Sequence, residues 1–173
     1  MRTLIVLMVL SFAYNSYAGQ NLFVVKKSFN TLNVFKVDAQ TNKDCKLIPY
    51  SSGKYIEGYW IMGEGNNQRQ EMNALEAKGF SKARMTYLNS DKSEVDFMPE
   101  NLEKAHVYFS DPVIRVKTSV KNGRCQVDAF MEIDHLETKI KEIFVGLTTF
   151  LKVEYVILKG ARANGSSFVR KYQ

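Results

Sequence analysis

The feature that most constrains this chain is a strict two-residue alternation around an Asn-Gly pair. Ile114, Val116, Thr118 and Val120 fall on one face, while Arg115, Lys117 and Ser119 fall on the other. Asn122-Gly123 follows, and then Cys125, Val127, Ala129, Met131 and Ile133 alternate with Gln126, Asp128 and Glu132. Side chains repeat every two residues only in a strand. Asn-Gly supplies the two positive-φ residues of a type I′ turn. The segment is therefore predicted to be a β-hairpin with one apolar face.

The same period recurs along most of the chain. Phe23 and Val25 open it, and Leu32, Val34, Phe35 and Val37 form a second run. Asp38 to Ser52 is polar, contains Pro49, and reads as a loop. Tyr55 to Met62 is an aromatic strand ended by the glycines of 63–67. Ala83, Met85 and Tyr87 alternate, Asn89-Ser90-Asp91 turns, and Val95 and Phe97 return. Val107 and Phe109 continue the series. Strands around Ile140 to Leu147 and Leu151 to Leu158 precede Asn164-Gly165, after which Ser167 to Tyr172 can pair back.

One short helix is predicted at Arg69 to Lys78. It lacks β-branched residues, sets Met72 and Leu75 a turn apart, and stops at Gly79. A helix this short depends on packing against the sheet. About ten strands with no helical crossovers imply a mainly antiparallel β-barrel or β-sandwich.

The first eighteen residues obey a different grammar. Arg2 precedes an apolar run from Leu4 to Ala13, and Ser16-Tyr17-Ala18 places small residues where a signal peptidase reads. The run is shorter than the roughly 20 residues that span a bilayer. The expectation is a signal peptide over 1–18 and a single β domain over 19–173, located in the periplasm or secreted. No cysteine follows the cleavage point, so no lipid attachment is expected there. The mature part has no stretch apolar enough to be transmembrane.

Cleavage removes Arg2 and lowers the formal charge of +6 by one. The remaining lysines and arginines are scattered among acids, without the like-charge block of a nucleic-acid site. Cys45 and Cys125 are the only cysteines, and an exported chain permits one disulfide between them. Closing a loop of about 80 residues would contribute around 4 kcal/mol in the chain-entropy description.

Known catalytic constellations find few partners here. The two histidines, His106 and His135, lack further ligands at metal-site spacing, so no metal or cofactor is expected. There is no G-x-S-x-G elbow. Gly63-Glu64-Gly65 lacks the third glycine of a dinucleotide loop. Glu94 and Asp96 share a strand face, an arrangement common on solvated strands.

Tyr59 and Trp60 point to opposite faces. Trp60 is read as core and Tyr59 as the more exposed ring, suited to ligand contact. Tyr59, Glu64 and Tyr108 are the residues put forward for ligand binding, and no catalytic residue is assigned. The function expected is a non-catalytic exported module that binds a small ligand or an envelope partner. The alternative is a hydrolase of cell-envelope polymers using acids such as Glu64 near Trp60.

Several stretches together resemble a family of exported bacterial domains known only as a domain of unknown function. They are Asn21-Leu22-Phe23-Val24-Val25-Lys26-Lys27-Ser28 with Asn33-Val34, the Tyr59-Trp60-Ile61-Met62 strand motif, Glu71 to Ala77 with Gly79-Phe80, and Val153-Glu154-Tyr155-Val156-Ile157-Leu158-Lys159-Gly160. The chain departs from the family pattern at Ala74 or Leu75, where a tryptophan is common, and at Ala161, where an acid is common. The resemblance implies an exported bacterial domain and assigns no activity.

Overall fold

A computed structural model describes residues 19–63, 68–72, 84–87, 90–98, 113–150 and 152–173. These form β1 (Gln20–Lys27), β2 (Asn30–Thr41), β3 (Leu47–Ile48), β4 (Ile56–Met62), β5 (Gln68–Glu71), β6 (Arg84–Tyr87) and β7 (Glu94–Met98). The chain continues through β8 (Ile114–Lys121), β9 (Arg124–Ile133), β10 (Leu136–Leu147), β11 (Val153–Arg162) and β12 (Ser167–Tyr172). The fold is mainly β, as the alternation predicts. Among the described residues no helix is long and apolar enough to cross a membrane.

The Asn-Gly hairpin forms as read. Asn122 and Gly123 have φ of 52° and 70°, and β8 pairs with β9 from Lys121↔Arg124 to Arg115↔Phe130. Ile114, Val116, Val127, Ala129, Met131 and Ile133 are buried. The pattern lapses only at the tip, where Val120 is exposed. A second two-residue turn, Asp134-His135, has φ of 57° and 59°. Its strain is offset in part by Asp134, which pairs with Arg170 and Arg162.

Strand β10 divides the sheet. One edge pairs antiparallel with β11 over its length. The other edge is shared: Leu136–Lys139 pair antiparallel with β9, and Glu142–Val145 pair parallel with Val24–Lys27 of β1. Two arms leave that edge, β1-β2-β4-β5 and β9-β8-β7-β6. Among the described residues their outer strands β5 and β6 are not paired with each other, so the described sheet is forked and not closed. The parallel β1–β10 pair departs from an otherwise antiparallel order, because β1 reaches β10 across most of the chain and not through a turn.

The arms are tied where β2 ends. Cys45 and Cys125 form a disulfide with Cα atoms 5.3 Å apart, as the cysteine count suggested. Leu47 N–H donates to Lys92 C=O at 2.9 Å, and Val127 N–H donates to Gln20 Oε1 at 3.1 Å. One connected core draws on both arms, including Phe23, Val37, Ile56, Phe97, Ile114 and Leu158. Glycine is required at two close approaches in this frame. A Cβ on Gly160 would lie 1.9 Å from Lys139 C=O, and one on Gly146 would lie 2.3 Å from the Tyr155 ring.

Two expectations are corrected. Residues 69–71 of the predicted helix are strand: Gln68–Glu71 pair with Met62–Tyr59 of β4, Met72 follows outside any helix or strand and packs on the core, and 73–78 lie outside the described residues. Pairing with an open β4 edge, reinforced by Arg69 salt bridges to Glu57 and Glu71, outweighs the propensity of so short a helix. The segment 38–41, read as the start of a loop, continues β2. Its polar letters mark the outward face of a strand whose inward partners are Val37 and Ala39.

Candidate functional site

The first candidate grows from the β2–β4 register. Val37↔Gly58 and Ala39↔Ile56 lie on the core side, so Lys36↔Tyr59 and Asp38↔Glu57 share the opposite face. Directly opposed residues bring their Cβ atoms to about 4.5–5.5 Å, which gathers two carboxylates and a phenol. Tyr59 Oη donates to Asp38 Oδ2 at 2.6 Å, and Asn21 Nδ2 donates to Asp38 Oδ1 at 3.1 Å. β5 adds Arg69, whose guanidinium lies 4.1 Å from the Tyr59 ring centroid. The same guanidinium donates to Glu57 at 2.9 Å and to Glu71 at 2.7 Å.

The loop after β3 brings Tyr50 against Asp38. Its hydroxyl is buried and has no hydrogen-bond partner. Burial first, and then the Asp38 charge, push the Tyr50 phenol well above its ordinary value. Burial and the hydrogen bond to Asp38 raise Tyr59 to about 12. Burial opposes the charge on Arg69, but its bonds to Glu57 and Glu71 prevail and hold it firmly protonated. Both phenols therefore stay neutral at any physiological pH.

The second candidate is the opposite end of the β1–β2 hairpin. Ser28 N–H donates to Val145 C=O at 3.1 Å, and Leu147 N–H donates to Ser28 Oγ at 3.0 Å. These bonds stitch the β1–β2 turn to the β10–β11 turn. Phe29 (57 % exposed), Leu32 (51 %), Phe150 (84 %) and Val153 (47 %) stand out of those two turns. They are four of the seven large hydrophobics exposed among the described residues, and they share one end. Lys27 and Lys152 flank them, and the Lys27 ammonium sits 4.9 Å from the Trp60 ring centroid.

Trp60 was read as a core residue and is half-buried instead, meeting Phe35 edge-to-face at 5.2 Å. Phe35, and not Trp60, packs on the core cluster. Tyr59 is half-buried and bound to Asp38. Glu64, Tyr108 and His106 lie outside the described residues. Asp38, Tyr50 and Arg69 were not singled out from sequence. The one available signal was the unbroken alternation Phe35-Val37-Ala39, which puts Asp38 on a strand.

Chemistry elsewhere is sparse. A cleft lined by Val113, Arg115, Phe130, Met131, Glu132 and Glu137 holds about 60 Å³, far below the roughly 300–1,000 Å³ of small-molecule pockets. Among the described residues no three His, Cys, Asp or Glu side chains come together as a metal-holding group.

The described residues and their two ends define a class: a disulfide-bonded, strand-built module with a forked sheet, a polar cluster that leaves one buried phenol unpaired, and an exposed apolar end. Residues 23–171 match the family described as Domain of unknown function (DUF4833), and the chain belongs to that family. No curated protein and no solved structure matches it.

Proposed function

We propose that this chain is a non-catalytic binding module that works outside the cytoplasm and docks through its apolar end onto an anionic membrane surface of the envelope. The observation that carries the reading is the shared protrusion of Phe29, Leu32, Phe150 and Val153 from two turns stitched together by Ser28. A concentrated apolar patch on an otherwise charged surface marks an interaction site. Protruding phenylalanines flanked by lysines suit the headgroup boundary, where rings enter the acyl edge and ammonium groups meet phosphates. The basic pI of about 9.2 favours the same partner. Several carboxylates are meanwhile engaged in structure: Asp38 by Tyr59, Glu57 and Glu71 by Arg69, Glu142 by Lys26 and Lys159, Asp96 by Arg115. The Cys45–Cys125 disulfide fits an oxidising compartment.

Vesicle flotation tests the reading. The chain should float with vesicles containing phosphatidylglycerol and stay behind with neutral ones. The double variant Phe29→Ser, Phe150→Ser should lose at least about tenfold in partitioning, given roughly 1.5–3 kcal/mol for each buried ring. Equal partitioning of the parent and the double variant would refute the docking surface.

A further inference from the structure

The start of β1 lies against the polar cluster. A Cβ placed on Gly19 would be 3.2 Å from Tyr50 Oη and 3.4 Å from Asp38 Oδ2. The Gly19 Cα is therefore within about 5 Å of the hydroxyl, and its nitrogen is one bond of about 1.46 Å further along the chain. A side chain at this position would crowd the phenol. Glycine leaves the space open.

The cluster contains one buried polar group that meets no partner. Tyr50 Oη is buried with no partner, although a buried polar group left unsatisfied costs on the order of 1–3 kcal/mol. Asp38 already accepts from Tyr59 and Asn21, but an ionised carboxylate has roughly four lone-pair sites and can accept more. The charges that bear on Tyr50 are the Asp38 and Glu57 carboxylates and the Arg69 guanidinium, with Tyr59 as the other titratable neighbour. Lys36 faces Tyr59 across the β2–β4 pair. Arg69 is committed to Glu57 and Glu71. A small cationic donor is what Asp38 and Tyr50 together would take.

We propose that this donor is the α-ammonium group of Gly19, created when residues 1–18 are removed, and that Asp38 and Tyr50 form its seat. While a peptide bond joins Ala18 to Gly19, the nitrogen is a neutral amide with a single hydrogen. Hydrolysis of that bond gives a primary amine, which takes a proton at neutral pH and carries three donors. Rotation about the Gly19 Cα–C bond swings it toward Asp38 Oδ2 and Tyr50 Oη. Processing thus completes the cluster that pins β1 to β2, so the processed chain is held more firmly than its precursor. The proposal rests on the exported reading, and its occupant exists only if cleavage follows Ala18.

Linkage gives the sign. An α-amino group ordinarily titrates at about 7.7–8.0. Seated beside Asp38 it titrates higher, so its contribution is complete below that range and is lost as pH rises through the folded value.

The test uses three forms of the mature chain released from a cleavable fusion: one beginning at Gly19, one keeping Tyr17-Ala18 in front of it, and the Gly19 form acetylated at its α-amino group. At pH 6.5 the free Gly19 form should melt higher than either of the others by roughly 3 °C or more. The gap should close by pH 10 and be absent in Asp38→Asn. The amine, followed by NMR, should titrate above about 8.0. Equal melting temperatures at pH 6.5, or an amine titrating in its ordinary range, would overturn the seat. N-terminal sequencing of the native protein separates the two ideas. A native chain that retains residues 1–18 overturns the export reading and removes the occupant, whereas an unseated amine in a correctly processed chain overturns the seat alone.

Discussion

The β1–β2 hairpin has two unlike ends. At the Gly19 end, Asp38, Asn21, Tyr59, Arg69, Glu57 and Glu71 bond to one another, and the disulfide and the Leu47–Lys92 bond stand close by in the chain. At the Phe29 end, backbone bonds from Ser28 fix the turn while the large side chains face solvent. The difference teaches where each kind of free energy resides. At the first end the groups other than the buried Tyr50 hydroxyl already meet partners within the chain, and those interactions stabilise the fold. Apolar area at the second end is still in water and can contribute only when something covers it.

The sharpest way to break this contrast is to cut the covalent tie at the polar end. Replacing Cys45 and Cys125 together by Ser should cost about 4 kcal/mol, read as a lower midpoint in denaturant melts. A loss below about 1 kcal/mol would mean that the hydrogen bonds alone hold the arms. Next comes Asp38→Ala, which leaves Tyr59 and Asn21 without their acceptor and should cost about 1.5–3 kcal/mol. A pH series sharpens the same point. Tyr59 titrates at about 12 in the folded chain and near 10 unfolded. Stability that depends on its neutral form is complete below pH 10 and is lost as pH rises through about 12; Asp38→Asn should flatten that loss. The smallest effect belongs to the other end. Phe29→Ser with Phe150→Ser should change the unfolding free energy read from denaturant melts by no more than about 0.5 kcal/mol. A large drop there would show that the exposed rings serve the fold and erase the comparison.

Much of the β2–β4–β5 arm was harder to read than the β8–β9 hairpin, for a physical reason. At β8–β9 the inward face is apolar and the turn is Asn122-Gly123, so periodicity and turn chemistry agree. The disulfide was legible as a pairing because only Cys45 and Cys125 exist. Asp38 was misplaced because the polar run that follows it masked the Phe35-Val37-Ala39 alternation, and its role depends on Tyr59 and Tyr50, which are distant in sequence. Arg69 to Glu71 looked helical because local propensity cannot see an unpaired edge on β4. Trp60 sits on the core side of its strand yet beyond the core, since position along a strand decides burial as much as face does. The apolar end was equally hidden. Phe29 and Phe150 become neighbours only through the β1–β10 pairing.

That pairing also sets an order in time. Ser28 and Leu147, bonded to each other, are 119 residues apart, so β1 has no partner on β10 until nearly the whole polypeptide is present. A chain emerging N-terminus first would carry β1 and β2 as a lone hairpin, which is at best marginally stable in water. Pairings this remote in sequence also close slowly. The strand made first is therefore among the last to be locked.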